Sequence, residues 1–216
     1  MPTNYKYDVC MPADLKAGKA YPVVFTLHGK GSDEQNMFGL VEPLAEQCII
    51  VGIRGNLPLG PGYQYYDLIS LGNPIREMFD AAVHGLEFLI EKVTKDYPID
   101  PARRYIVGFS QGAILAMTLA LTMGDKRLKG IASLSGYIPE FVKEEYPLQS
   151  LKNLSVFVSH GEYDSVFPIH VGHATADFLK KQTEHVNLYT YTANHEVSEK
   201  NQTDLLYWLR RSAELL

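Results

Sequence analysis

Gly108-Phe109-Ser110-Gln111-Gly112 sets a serine between two glycines, with an apolar run before it and another after it. A serine becomes a useful nucleophile when a sharp strand-to-helix turn presents its hydroxyl at the top of a sheet. Such a turn strains the serine's dihedrals and crowds the chain so closely that the positions two before and two after must be small. Gly108 and Gly112 meet that demand. The following helix would aim its first amides at negative charge developing there. With Gly and Ser each near ~7% of residues, the bare pentapeptide arises by chance in roughly one chain of this length in fifteen. A bystander serine in a glycine-rich turn is therefore the alternative, and the partners decide.

A serine on this kind of turn takes its partners in the chain order Ser, acid, His. Five histidines follow Ser110: His160, His170, His173, His185 and His195. His170 and His173 fall in an expected helix, and His185 precedes the last strand, at the wrong end of the sheet. His160 ends a strand, but the acid belongs there. His195 follows the last strand and is the choice of base. Glu162 and Asp164 both lie in the segment His160–Pro168. Asp164, shorter and ahead of a helix start marked by Pro168, is preferred; helix capping or turn chemistry is its bland alternative. Its role would be to hold the His195 tautomer and stabilise the imidazolium. An oxyanion would rest on the backbone N–H of Gln111 and on a second amide from the loop His28-Gly29-Lys30-Gly31, for which Lys30 is the candidate. His28 would support that loop by hydrogen bonding, and the Lys30 side chain would be solvated.

The elements that must position these groups alternate along the chain. Tyr5, Tyr7, Val9 and Met11 alternate as a half-exposed strand does, and Val23–Leu27 is a short apolar, β-rich run. The spacing predicts a helix over Glu34–Gln47, a buried strand over Ile49–Ile53 and a helix over Ile75–Lys95. Then come strand Tyr105–Gly108, helix Ala113–Met123, strands Ile131–Leu134 and Ser155–Ser159, helix Ile169–Lys181, strand Val186–Tyr191 and helix Ser198–Leu216. Apolar strands separated by helices imply a mostly parallel sheet covered on both faces, with sites at the carboxyl ends of its strands. Gly55–Pro74 has no periodicity and reads as a long irregular surface loop, a kind uncommon unless functional. Its Tyr63, Tyr65 and Tyr66, with Leu68, Ile69 and Leu71, would line an acyl pocket or simply pack the loop.

The chain has 216 residues, 46% hydrophobic and 21% charged, with a formal charge of −5. That balance fits one folded α/β domain over 1–216 and leaves no basic surplus for nucleic acid or for a membrane anchor. Tyr105–Gly124 is a 20-residue run without charge. Gly108, Ser110, Gln111 and Gly112 interrupt it, so it reads as two buried elements rather than a membrane span. Cys10 and Cys48 are too few for a disulfide framework or a zinc cluster and should pack as small hydrophobes. His170 and His173 stand three apart on a helix face with no obvious carboxylate or cysteine partner, so no metal and no cofactor is expected. The first residues lack the charged start and apolar run of a signal peptide, and a cytoplasmic protein is the expectation. Monomer and homodimer both fit, and the apolar Leu205, Leu206, Trp208 and Leu209 should dock on the sheet.

Taken together, Leu27-His28-Gly29-Lys30-Gly31, Tyr105–Ala113, Leu134-Ser135-Gly136-Tyr137-Ile138-Pro139, His160–Pro168 and Asn194-His195-Glu196-Val197-Ser198 resemble the α/β-hydrolase superfamily. Within it they are similar to the phospholipase/carboxylesterase family that includes acyl-protein thioesterases. The resemblance implies an α/β-hydrolase fold without a separate cap domain. It also implies Ser110 as nucleophile, Asp164 as orienting acid and His195 as base, with Lys30 and Gln111 as oxyanion amides. The family usually has glycine before its histidine, where Asn194 stands here; asparagine tolerates left-handed dihedrals. Its long loop tends to carry an Arg-Trp or Ser-Trp pair, where this chain reads Tyr63-Gln64-Tyr65-Tyr66-Asp67. The expected activity is hydrolysis of small carboxylic esters of short to medium acyl chain. Acyl-protein thioesters or lysophospholipids are the alternative substrates, and a silent binding module on the same fold is the alternative class.

Overall fold

A computed structural model describes residues 5–215; Met1–Asn4, part of the N-terminal stretch read above, and Leu216, the expected end of the last helix, lie outside them. The elements run β1 (Tyr7–Cys10), β2 (Tyr21–Leu27), α1 (Glu34–Val41), β3 (Ile49–Ile53), β4 (Leu57–Leu59), β5 (Gly62–Gln64), β6 (Leu68–Ser70), β7 (Asn73–Pro74) and α2 (Arg76–Asp96). They continue with β8 (Ile99–Phe109), α3 (Gln111–Met123), β9 (Gly130–Leu134), α4 (Glu140–Glu145), β10 (Ser155–Gly161), α5 (Ile169–Lys180), β11 (Val186–Tyr191) and α6 (Glu199–Ser212). The main sheet has seven strands in the order β1-β3-β2-β8-β9-β10-β11. Only β1 is antiparallel to its neighbour.

Alternation along the strands splits the core into two layers, because successive side chains leave a strand on opposite faces. Val23, Phe25 and Leu27 of β2 face the side covered by α2 and α3, together with Leu86, Ile90, Leu115 and Leu119. Val24, Tyr105, Val107 and Phe157 face the other side, where Met37 and Val41 of α1 and Leu205, Trp208 and Leu209 of α6 close the layer. The apolar stripe of the last helix is thus docked on the sheet. Cys48 is buried in this second layer and Cys10 is half-buried. The uncharged run has become the end of β8, a tight turn and α3, whose side chains are almost all buried. No helix among the described residues is long and apolar enough to cross a membrane.

Three expectations change in detail. The helix over Glu34–Gln47 is α1 followed by a 3-10 turn at Glu42–Leu44, where Pro43 supplies no N–H for continuing the α-helix. Strand β8 begins at Ile99 rather than Tyr105, and its register against β2 shifts between Tyr21 and Val23. Pro101 stands in that irregular stretch, where a central strand tolerates a residue without a donor. Gly55–Pro74 is no irregular loop: β4 pairs with β5 and β6 with β7 as two short antiparallel ribbons.

The first ribbon is fastened to the sheet's carboxyl edge by buried polar contacts. The Tyr65 hydroxyl donates to the Ile53 carbonyl at 2.6 Å and accepts from the His28 N–H at 3.1 Å, while its ring lies 4.8 Å from the His28 ring. Tyr63 pairs its main chain with Gly31 and Ser32 at 2.8 Å each. Replacing Tyr65 by Phe keeps the ring but leaves a buried carbonyl and a buried amide without partners, a loss of about 1–3 kcal/mol. Urea denaturation of Tyr65→Phe should show that decrease, and an unchanged midpoint would remove Tyr65 from the anchoring role.

Candidate active site

Ser110 connects β8 to α3 with φ 52 and ψ −114, one of three non-glycine residues with positive φ among those described. A β-carbon makes that region costly, so the surroundings must over-determine it. They do. A Cβ on Gly108 would lie 2.2 Å from the Gly112 carbonyl oxygen, and one on Gly112 would lie 2.1 Å from that of Leu27. Both are backbone contacts with no side chain that can swing away. The Ser110 N–H donates across to Leu134 O at 2.9 Å, tying the turn to the end of β9.

The three residues singled out by order and position meet at this edge. His195 Nε2 lies 2.8 Å from Ser110 Oγ, and His195 Nδ1 lies 2.8 Å from Asp164 Oδ2. A carboxylate only accepts, so Nδ1 carries the proton and Nε2 faces the hydroxyl with its lone pair. The imidazole sits between the rings of Phe109 and Phe167, with centroids 5.0 and 5.5 Å away. Asp164 is buried, and its Oδ1 accepts from the N–H groups of Val166 at 2.9 Å and Phe167 at 2.7 Å. Burial alone would raise the carboxyl's pKa; the His195 hydrogen bond and the Phe167 and Val166 amides outweigh it and hold the group below its ordinary value. Glu162, the other candidate acid, turns away to the hydroxyls of Thr190 and Thr192.

The His28–Gly31 loop, expected to hold an oxyanion amide, follows β2. Gly29 packs on the nucleophile turn, where a Cβ would come 3.0 Å from the Phe109 ring and 3.5 Å from Ser110 Cβ. Neither the Lys30 N–H nor the Gln111 N–H finds an acceptor among the described residues. His28 supports the loop as expected: Nε2 accepts from the Gly55 N–H at 2.9 Å, which leaves the proton on Nδ1, 2.7 Å from Gly29 O. Its burial lowers the ring's pKa, against a smaller opposing effect of the Gly29 bond, and keeps it neutral. The Lys30 ammonium reaches Asp67 Oδ1 at 3.3 Å on the surface.

The three tyrosines are placed differently from an open pocket wall. Tyr65 and Tyr66 are wholly buried, the first against the rings of Tyr5 and His28 and the second against Phe79. Tyr63 lays its ring 4.5 Å from the Arg54 guanidinium. What the sequence reading missed is the side chain that joins them to the nucleophile turn. Gln111 Oε1 accepts from the Tyr65 N–H at 2.8 Å, and its Nε2 donates to Tyr66 O at 2.9 Å. A polar residue at the first position of an otherwise apolar helix was the available signal. Asn194 also departs from expectation. It is not in the left-handed region; instead its Oδ1 accepts from the Ser165 N–H at 2.9 Å and ties the histidine loop to the acid loop.

Known proteins are similar to this chain over most of its length. The acyl-protein thioesterase 1 homolog 1 of Dictyostelium discoideum is 27% identical over 157 residues, covering 72% of this chain and 69% of that one. Acyl-protein thioesterase 1 of Yarrowia lipolytica is 25% identical over 217 residues, covering 91% and 94%. The crystal structure of a Bacillus cereus carboxylesterase superposes with a TM-score of 0.84 at 19% identity, over 97% of this chain and 95% of its own, and so shares the fold. The model of the phospholipase/carboxylesterase family matches residues 13–212. By that match the chain belongs to the phospholipase/carboxylesterase family of α/β-hydrolases.

Proposed function

We propose that the chain is a serine carboxylesterase whose triad is Ser110, His195 and Asp164 and whose oxyanion donors are the Lys30 and Gln111 amides. The observation that carries this reading is the continuous relay of two 2.8 Å contacts from Ser110 Oγ through His195 to Asp164. His195 Nε2 takes the hydroxyl proton as Ser110 Oγ attacks an acyl carbonyl. The tetrahedral oxyanion is received by the two amides, each of which is worth about 2.7–4 kcal/mol of barrier in comparable sites. Asp164 stays ionised and stabilises the imidazolium. The intermediate collapses, His195 returns its proton to the departing alcohol, and water repeats the sequence on the acyl-enzyme. A thioester fits the same steps, its sulfur leaving as a thiol or thiolate in place of the alcohol; relatives named acyl-protein thioesterase favour including it.

A short to medium acyl chain is the proposed preference. It is supported by the rings of Tyr66, Phe79 and Phe141, which pack on one another with centroids 4.9 and 5.3 Å apart, in a cluster tied to Gln111 through the Tyr66 carbonyl.

A folded Ser110→Ala variant should lose about 10⁴-fold or more in kcat on p-nitrophenyl butyrate, together with labelling by a fluorophosphonate probe. Parent-like hydrolysis by that variant would overturn the triad. Across a series of p-nitrophenyl esters and matching acyl thioesters from acetyl to palmitoyl, activity should peak at or below octanoyl; a maximum at palmitoyl would sink the chain-length reading.

The lowered Asp164 carboxyl pKa also makes a stability prediction. A group whose pKa falls on folding stabilises the native state at pH above its unfolded value of about 3.9 and loses that contribution as pH drops through the folded value. Asp164→Asn should therefore unfold at lower urea than the parent near pH 7, with a gap that narrows below about pH 4. The same variant should lose about 10³–10⁴-fold in kcat. A stability gap constant with pH would contradict an ionised, stabilising Asp164.

A further inference from the structure

The second buried histidine at this edge, His160, is not used by the steps above. It is the sixth residue of β10, and its side chain has no exposed surface. Nε2 lies 2.6 Å from the Phe167 carbonyl and 3.6 Å from Asp164 Oδ2. A carbonyl only accepts, so Nε2 carries the proton. Nδ1 is left buried with no hydrogen-bond partner. It faces Gly172 of α5, where a Cβ would come 2.7 Å from both Cγ and Nδ1 of the imidazole. A residue that served only to fill the core would not need a polar ring with one orphaned nitrogen, nor a glycine inside a helix to make room for it.

We propose that His160 is a positioning residue for the acid of the triad, an inference that rests on the triad reading. The Phe167 main chain is held at both ends: its N–H donates to Asp164 Oδ1 and its carbonyl accepts from His160. The turn that presents Asp164 is closed by that second bond, and the ring of Phe167 in turn flanks His195. The only ionisable side chains in contact with the Asp164 carboxylate among the described residues are His160 and His195. The helix packed on the far side of the His160 ring brings Gly172, which carries no side chain, against it. Without the His160 bond the turn relaxes and Asp164 Oδ2 drifts from His195. Because sub-ångström to ångström displacements of catalytic groups are worth up to ~10²-fold in rate, the loss should fall on kcat.

Three variants test this against a filler role. His160→Leu removes the donor; His160→Gln restores an N–H at about the position of Nε2. Gly172→Ala keeps every hydrogen-bonding group but presses a methyl against the ring. With p-nitrophenyl butyrate, His160→Leu should lose about 10–100-fold in kcat with KM little changed. The acidic limb of its kcat/KM profile should also move to lower pH, because an imidazolium less well paired with Asp164 is less stabilised. His160→Gln should recover most of the rate and the limb, and Gly172→Ala should show the same limb movement in smaller degree. Parent-like kcat and limb in folded His160→Leu would overturn the inference, as would a rate loss with no limb movement that Gln fails to repair. Should His160→Leu not fold, the Gln and Ala variants decide: a parent-like Gln enzyme with a shifted Ala enzyme supports the inference, and a parent-like Ala enzyme removes it. Ser110→Ala runs beside them. If it stays active the triad itself is wrong, whereas an inactive Ser110→Ala with unaffected His160 and Gly172 variants defeats only the positioning role.

Discussion

The carbonyl oxygen of Leu27, at the last residue of β2, stands 2.1 Å from the place a Cβ would occupy on residue 112, and the carbonyl of Gly112 stands 2.2 Å from the same place on residue 108. Three elements therefore touch backbone to backbone at one point: the end of β2, the end of β8 and the start of α3. Side-chain contacts between elements yield by rotamer changes, but these cannot. The distance from the His28–Gly31 loop to the nucleophile turn is set by main-chain geometry, and the strained φ of Ser110 is one consequence of it. The strain is sustained because both elements flanking the turn are anchored in buried layers, with β8 packed on each face and α3 immersed along its length.

Electrostatics at the edge follow a second common rule: each histidine there has its tautomer set by a fixed acceptor or donor. His28 accepts from the Gly55 amide and so keeps its proton on Nδ1. His160 gives its Nε2 proton to the Phe167 carbonyl, and His195 gives its Nδ1 proton to Asp164. Two of these partners are main-chain groups, which do not titrate. The third is a carboxylate that burial disfavours and that hydrogen bonding restores. The arrangement leaves His195 Nε2 as the nitrogen turned to the serine hydroxyl, while the other two rings are committed to the loops that carry Lys30 and Asp164.

How much of this was legible in the sequence depended on which force decided each feature. The layering of the sheet and the order of its elements follow from apolar periodicity, and Ser110, Asp164 and His195 follow from chain order plus the end of the sheet where each falls. The Lys30 and Gln111 amides were expected as donors, because a nucleophile turn needs them at fixed backbone positions, and both N–H groups stand without an acceptor among the described residues. Side-chain roles that answer to long-range contacts were not legible. Gln111 reaches residues 45 and 46 positions away, and Asn194 reaches Ser165 across the sheet edge. Nothing local distinguishes a glutamine that bridges from one that is solvated. Tyr65 and Tyr66 were read as wall or packing, since aromatic composition does not say on which side of a ribbon a ring will lie. The ribbon itself escaped periodicity because its strands are two or three residues long, too short for an alternation to register.

The bridge made by Gln111 ties these points together. One residue follows Ser110 directly at the start of α3 and, through its side chain, takes both a donor and an acceptor from the Tyr65-Tyr66 backbone. Main-chain groups are what its side chain recognises, so this particular tie does not depend on which side chains stand at 65 and 66. His28 holds the same segment twice, through the Gly55 N–H at its ring and through the Tyr65 hydroxyl at its main-chain N–H. The side chains at 65 and 66 pack elsewhere, the Tyr65 ring against Tyr5 and His28 and the Tyr66 ring against Phe79. The polar ties and the aromatic packing of this segment are in this way separable in the fold. The backbone interlock and the histidine partners hold the sheet edge, and the rings of Tyr65 and Tyr66 fill the core beside it.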